Sequence, residues 1–279
     1  MKIAFIGGDA RTVVIGRLFA DEGHDCYCYG LEKYPEGTEP IKQACPEECL
    51  RGASAVILPL PCTEKGGVRI FAPFSDNELT LNDITSRAEA GTVICGGMTG
   101  ESGITDYYDE PLQIRNAIPT AEGAIAIALE EMPVTLCGSK TLILGFGRIG
   151  RCLAERLKAL GSSVTVAMRK ETDRAWAENM GVDATDFRHL EERLKQSDAV
   201  FNTVPSTVLR RSELECVRTG VPVIDLASRP GGLDFGEAGR LGVKVIWALS
   251  LPGKYAPVTA GEAIFKSIKG IFSDWGIMD

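Results

Sequence analysis

Six residues of the chain read Gly145-Phe-Gly-Arg-Ile-Gly150, a G-x-G-x-x-G turn. Each glycine has a task in holding a dinucleotide. Gly145 permits a tight turn off a strand, Gly147 lets the backbone approach a pyrophosphate, and Gly150 lets the following helix pack closely on the sheet. The phosphates then meet N–H groups at the helix N-terminus, where Arg148 and Ile149 lie. Glycine-rich turns also recur by chance, so context decides. Here the turn follows an apolar run at 141–144 and precedes an amphipathic segment ending at Gly161, after which a second apolar run begins. That order fits a dinucleotide-binding βαβ unit better than a purely structural turn.

The second apolar run ends in Arg169 and Lys170, with no acid before Glu171. An NAD site usually places Asp or Glu there to accept from the ribose 2′-OH. A guanidinium and an ammonium suit a 2′-phosphate, which an acid would repel. The alternative is a solvated basic loop. The charge logic favours NADP(H) over NAD.

Three further cations stand where parallel sheets hold ligands. Arg229, in Ala227-Ser-Arg-Pro-Gly-Gly232 after a predicted strand, has the fork to bind a substrate carboxylate bidentately. The competing reading pairs it with Asp225 or Asp234. Lys254 follows Pro252-Gly253 and suits a carboxylate, a phosphate or plain solvent. Arg11 follows Gly7-Gly8-Asp9-Ala10, where Asp9 suits a helix cap. Arg11 is then either a solvated first-turn residue or a contact to an acidic ligand. Asn202, Thr203, Val204 and Pro205 follow another strand, at the expected ribose–nicotinamide end, with strand-end capping as the alternative. The Gly96-Gly-Met-Thr-Gly100 turn either presents N–H groups to an anion or is an ordinary tight turn. No general base stands out: His24 follows a turn, and His189 lies in a charged stretch.

The elements that must position these groups alternate between strand and helix. Strands are expected at 2–6, 25–29, 55–60 and 92–95, then at 140–144, 163–168, 182–184, 199–203, 221–226 and 243–248. A Gly66-Gly67 loop and an irregular segment with a short helix fall between the third and fourth. Pro119 suits the start of a bridging helix flanked by Asn116 and Glu122, and Gly123 within it suggests a close backbone contact. The fold class is α/β, with two doubly wound parallel-sheet domains. The first, 1–117, is expected to be flavodoxin-like. The second, 118–258, is the Rossmann domain that binds NADP, with the substrate cleft between the two.

At 279 residues the chain is long enough for two cores, and its net charge of −8 argues against nucleic acid or an anionic membrane as a partner. No apolar run approaches the ~20 residues that span a bilayer. Nine cysteines without nearby histidines fit buried thiols of a reducing cytoplasm rather than a zinc site or disulfides, so no metal is expected.

Taken together, Ile6-Gly-Gly-Asp-Ala-Arg11, Asn116-Ala-Ile-Pro-Thr-Ala-Glu-Gly123, the fingerprint, Asp225-Leu-Ala-Ser-Arg-Pro-Gly-Gly232 and Leu251-Pro-Gly-Lys-Tyr-Ala-Pro-Val-Thr-Ala-Gly261 resemble the dipicolinate synthase A-subunit family nearly end to end. The resemblance implies oxidation of dihydrodipicolinate to dipicolinate, with NADP⁺ taking a hydride. It also implies a flavoprotein-like partner, the synthase's B-subunit, an oligomer, and the mother cell of a sporulating bacterium. Arg229, Arg11 and Lys254 would then hold a dicarboxylate. A wider resemblance, to the 2-hydroxyacid dehydrogenases, matches their substrate arginine to Arg229 and implies that residues 259–279 return to the first domain. Those enzymes carry a late Pro-His segment, where this chain has Leu-Pro-Gly-Lys without histidine. The rival readings are a 2-hydroxyacid-type or imine-type oxidoreductase and a non-catalytic nucleotide-binding subunit.

Overall fold

The computed structural model describes residues 1–64, 67–100 and 103–278, so Gly66 of the expected glycine loop lies outside them. Along the chain come β1 (Lys2–Ile6), α1 (Ala10–Asp21), β2 (Asp25–Tyr29), β3 (Lys42–Gln43), α2 (Pro46–Leu50), β4 (Ala55–Ile57), α3 (Leu81–Thr85), β5 (Val93–Gly96), β6 (Thr105–Asp106) and α4 (Glu110–Glu131). Next are β7 (Lys140–Leu144), α5 (Arg148–Ala159), β8 (Ser163–Ala167), α6 (Glu171–Met180), β9 (Asp183–Thr185), α7 (Leu190–Leu194) and β10 (Ala199–Asn202). The chain closes with α8 (Arg211–Leu214), β11 (Val223–Asp225), α9 (Phe235–Leu241), β12 (Val245–Trp247), α10 (Leu251–Tyr255) and α11 (Pro257–Asp274).

The chain forms two compact units. One comprises Met1–Asn116 with Ala256–Asp279, the other Ala117–Tyr255. Each holds a six-stranded sheet, ordered β3-β2-β1-β4-β5-β6 and β12-β11-β10-β7-β8-β9, with every pairing parallel. Both sheets thus have the doubly wound 3-2-1-4-5-6 order of dinucleotide-binding folds. The first unit is therefore not flavodoxin-like in strand order. Its two outer strands, β3 and β6, are two residues long and partly or wholly exposed, too short to leave a periodic signal.

Alternation along the strands fills both faces of each sheet. In the second unit Ile143, Val166, Phe201 and Ile224 pack on one side, and Leu142, Leu144, Ala167, Val200 and Val223 on the other. In the first, Ile3, Phe5 and Ile57 pack with Ile264, Ile268 and Phe272 of α11, while Ala4, Ile6, Val56 and Leu58 face the opposite core.

The bridging helix begins earlier than Pro119 suggests. Asp109 Oδ1 accepts from the Leu112 N–H at 2.8 Å at its start, and Pro119 sits in the helix interior. Proline there removes a backbone donor, yet packing overrides that cost. Gly123 has the close neighbour expected of it: a Cβ there would stand 3.0 Å from Tyr255 Cδ2 and 3.1 Å from Leu251 Cβ.

Candidate active site

The order of the second sheet reverses between β7 and β10, and open α/β sheets bind ligands beyond the strand ends at such a point. Gly145 leaves β7 with φ +94°, and a Cβ there would meet Thr203 Oγ1 at 2.6 Å. A Cβ on Gly150 would stand 2.2 Å from the Gly145 carbonyl oxygen. These two glycines close the turn tightly against the end of β10. Gly147 differs: it is the N-cap of α5, offers the helix no side-chain cap, and a Cβ on it would meet nothing within 4 Å. An uncapped helix N-terminus with open space before it fits a pyrophosphate.

The first unit shows what a closed version of this turn looks like. Asp9 occupies the place of Gly147 as N-cap of α1, and Thr12 that of Gly150. The Asp9 carboxylate accepts from the Arg11 N–H at 3.0 Å, and the Gly8 N–H donates to Phe71 O at 2.7 Å. The chain thus fills the anion position itself. Arg11 belongs to this closure. It is 6 % exposed, its guanidinium binds both Asp9 oxygens, and it also donates to Leu60 O. It is not the solvated residue its position suggests, and a ligand carboxylate would compete with Asp9 for it. The Gly96–Gly100 turn is likewise filled internally: Met98 and Thr99 N–H donate to Asp106 Oδ1 and Oδ2 at 3.0 and 3.1 Å.

Beyond β8, Arg169 and Lys170 are exposed. The Arg169 guanidinium lies 5.3 Å from the Phe187 ring centre, and Lys170 is the N-cap residue of α6. The acids that follow pair elsewhere, Glu171 with Arg174 at 3.5 Å and Asp173 with Arg151 at 3.0 Å. Among the described residues, neither Arg169 nor Lys170 has a carboxylate partner.

The loop after β10 divides in two. Asn202 is fully buried; its Nδ2 donates to Val204 O at 3.0 Å and Asp225 Oδ1 at 2.7 Å, and its Oδ1 accepts from the Val204 N–H. Its side chain caps the strand end and is not turned to a ligand. Thr203 Oγ1 donates to Leu144 O at 2.9 Å. Val204 is half-buried and Pro205 exposed at the loop's rim.

Arg229 is exposed, and neither expected acid pairs with it. Asp225 accepts from Asn202, Ala227 N–H and Gly232 N–H, while Asp234 caps α9 by accepting from the Glu237 N–H. The guanidinium lies instead 4.9 Å from the centre of the Trp247 ring. Trp247 and the buried state of Asp225 are the site features that sequence reasoning misses. The legible signals were an aromatic ending β12 and an acid ending an apolar strand, which must find donors. The structure thus joins the turn at Gly145, the loop at 202–205 and the loop at 227–232. Lys254 is exposed on α10, its Nζ 5.1 Å from the Tyr255 ring centre, and among the described residues no hydrogen bond or ion pair joins its side chain to those loops.

Neither histidine stands on these loops. His24 packs on Phe19 in the first unit, where burial lowers its pKa. His189 is exposed after β9, four places from β11 in the sheet. The Cys152 thiol of α5 is pushed up by burial, which makes it a poor nucleophile. Among the described residues no group of three His, Cys, Asp or Glu side chains is placed to hold a metal, and no helix is long and apolar enough to cross a membrane.

Residues 2–105 match the N-terminal domain of the dipicolinate synthase A-subunit, and residues 120–226 the NAD-binding domain of the D-isomer specific 2-hydroxyacid dehydrogenases. The chain is 32% identical to the dipicolinate synthase A-subunit of Bacillus subtilis (strain 168) over 98% of its own length and 96% of that protein's. The chain belongs to the dipicolinate synthase A-subunit family. The crystal structure of the corresponding protein from Bacillus halodurans superposes with a TM-score of 0.85 at 27% identity, covering 96% of this chain and 97% of the other. A more distant relative is the shikimate dehydrogenase (NADP(+)) of Methanosarcina acetivorans, 26% identical over 81% of this chain and 77% of that one. With its dehydrogenase-type nucleotide domain, this member of the family is an NAD(P)-dependent oxidoreductase. Its relatives, described as subunits, are parts of a multi-subunit synthase.

Proposed function

We propose that this chain oxidises dihydrodipicolinate to dipicolinate, pyridine-2,6-dicarboxylate, with hydride transfer to NADP⁺. The observation that carries the reading is Arg229, an exposed guanidinium beyond β11 held against a ring and not by a carboxylate. Its N–H fork is available for a substrate carboxylate. The Bacillus subtilis relative is a dipicolinate synthase subunit, and the two carboxylates of dipicolinate suit a cationic anchor.

The nucleotide would be held by α5, with Gly147 leaving the pyrophosphate its approach and Arg169 and Lys170 facing the 2′-phosphate. The more distant relative, a shikimate dehydrogenase (NADP(+)), agrees with that preference. A bound nicotinamide supplies the hydride acceptor. The protein's share is to hold the ring at the correct face and exclude competing reactions. Loss of hydride and a proton makes the product aromatic, so the step has its own driving force. No acid–base histidine is needed on an alcohol oxygen, and His189, the histidine of the second unit, follows β9, four places from β11 in the sheet. That favours the dihydropyridine over a 2-hydroxyacid. The same reading places the flavoprotein-like B-subunit beside this chain, in the mother-cell cytoplasm of a sporulating bacterium.

The test is NADPH formation by the purified chain, supplied with NADP⁺ and freshly generated dihydrodipicolinate, with and without the flavoprotein-like partner. Turnover by the chain alone is expected. Turnover only with the partner would make the site shared, and no turnover in either case would rule out the reaction.

A further inference from the structure

Asp225 ends β11 at 0 % exposure, and no lysine, arginine or histidine among the described residues pairs with it. A buried carboxylate without a counter-charge is costly unless hydrogen bonds hold it. It accepts three: from Asn202 Nδ2 at 2.7 Å, from the Ala227 N–H at 3.1 Å and from the Gly232 N–H at 2.9 Å.

Those donors come from two loops. Asn202 opens the loop at 202–205 and folds it by bonding both backbone groups of Val204. Ala227 and Gly232 stand at the two ends of the loop that carries Arg229. Gly232 also abuts Asn202, since a Cβ on it would lie 1.8 Å from Asn202 Nδ2. The backbone adds a second tie, from the Leu226 N–H to Asn202 O at 2.8 Å. One carboxylate therefore fixes both ends of one loop and the first residue of the other.

We infer that Asp225 is a positioning residue that locks the 202–205 loop and the Arg229 loop in one arrangement. The substrate carboxylate and the hydride acceptor are thereby presented together. The inference rests on Arg229 being the substrate anchor. An asparagine at this position has the same shape but puts an N–H₂ where a donor now points. Oδ1 takes two of the donors and Oδ2 one, so the amide N–H₂ opposes either the Gly232 N–H alone or both Asn202 Nδ2 and the Ala227 N–H, and in either orientation the tie between the loops is weakened.

The experiment compares wild type with Asp225→Asn, in the full chain with its flavoprotein-like partner. Expected is a fall in kcat/KM for dihydrodipicolinate of about tenfold to a hundredfold, with the Kd of NADP⁺ moved by less than about threefold. Amide exchange should accelerate in peptides covering 202–206 and 226–233, but not in Lys140–Leu144. Unchanged kcat/KM, or exchange that rises equally across the sheet, overturns the inference. If Asp225→Asn does not fold, Asn202→Ala cuts the same tie from the other loop and leaves both backbone bonds to Asp225 in place. The same fall in kcat/KM with selective exchange is then expected, and wild-type values overturn the inference. Wild type inert towards dihydrodipicolinate and unable to bind pyridine-2,6-dicarboxylate would instead sink the substrate reading. The exchange pattern would still decide whether Asp225 locks the two loops.

Discussion

The Arg229 guanidinium rests 4.9 Å from the centre of the Trp247 ring, and that ring is itself fixed. The indole N–H donates to Ala227 O at 3.0 Å, and Phe235 packs on the ring at 4.7 Å between centroids. An aromatic face attracts a cation without neutralising its charge or occupying its N–H groups. Arg229 is thus oriented while remaining competent to bind an anion.

If that is its role, charge alone should not replace it. Arg229→Lys should lower kcat/KM for dihydrodipicolinate by about tenfold, and Arg229→Ala by about a hundredfold or more. Nucleotide affinity should hold in both, measured by fluorescence titration of NADPH. Wild-type turnover by Arg229→Ala would remove it from the site.

The two later glycines of the fingerprint should answer the same substitution differently. Gly150→Ala forces a Cβ to 2.2 Å from a backbone oxygen, which should cost roughly 1–3 kcal/mol of stability, read from the urea midpoint. Gly147→Ala meets no protein atom, so stability should stay within about 1 kcal/mol. Its NADP⁺ affinity should nevertheless drop at least about tenfold, because the methyl would take the space of the pyrophosphate. Unimpaired binding by Gly147→Ala would show that the phosphates lie elsewhere.

Nucleotide choice should follow Arg169 and Lys170. Replacing both by alanine should weaken NADP⁺ by about tenfold or more and leave NAD⁺ nearly unchanged. Loss of both in equal measure would assign the pair to general folding of the loop.

Burial pushes Cys26, Cys49, Cys62 and Cys95 up to about 12 and Cys28 to about 11, against an ordinary 9.0. Below the ordinary value both folded and unfolded chains keep these protons. Above it the unfolded chain loses them first, so stability should fall as pH rises from about 9 towards about 11–12. All five lie in the first unit, so between about pH 8 and about pH 10.5 urea unfolding should show that unit weakened more than the second, where burial also raises Cys152. An unchanged midpoint would count against these shifts.

Much of the frame was legible because the fingerprint unit is locally self-consistent: β7, α5 and β8 lie where apolar runs and glycines put them. Terminal strands of two residues, such as β3, carry no periodicity and stayed hidden. Arg11 escaped for another reason. Beside the local Asp9, its guanidinium is held by Leu60 O, 49 residues away, which no local pattern reports. Asp106 and Asp225 belong to the same class: a sequence shows that an acid must find donors but not which ones.

The return of α11 to the first unit bears on synthesis. Phe19 of α1 meets Phe265 and Phe272 of α11 at 4.7 and 5.8 Å between ring centres, and Lys269 pairs with Glu22 at 2.6 Å. A ribosome delivers that wall only after residues 117–255 are complete. The usual order, in which the N-terminal domain finishes first, is therefore reversed. Nascent chains stalled just after Tyr255 has emerged should resist protease across residues 117–255 and be cut within 1–116; early protection of both regions would refute that order.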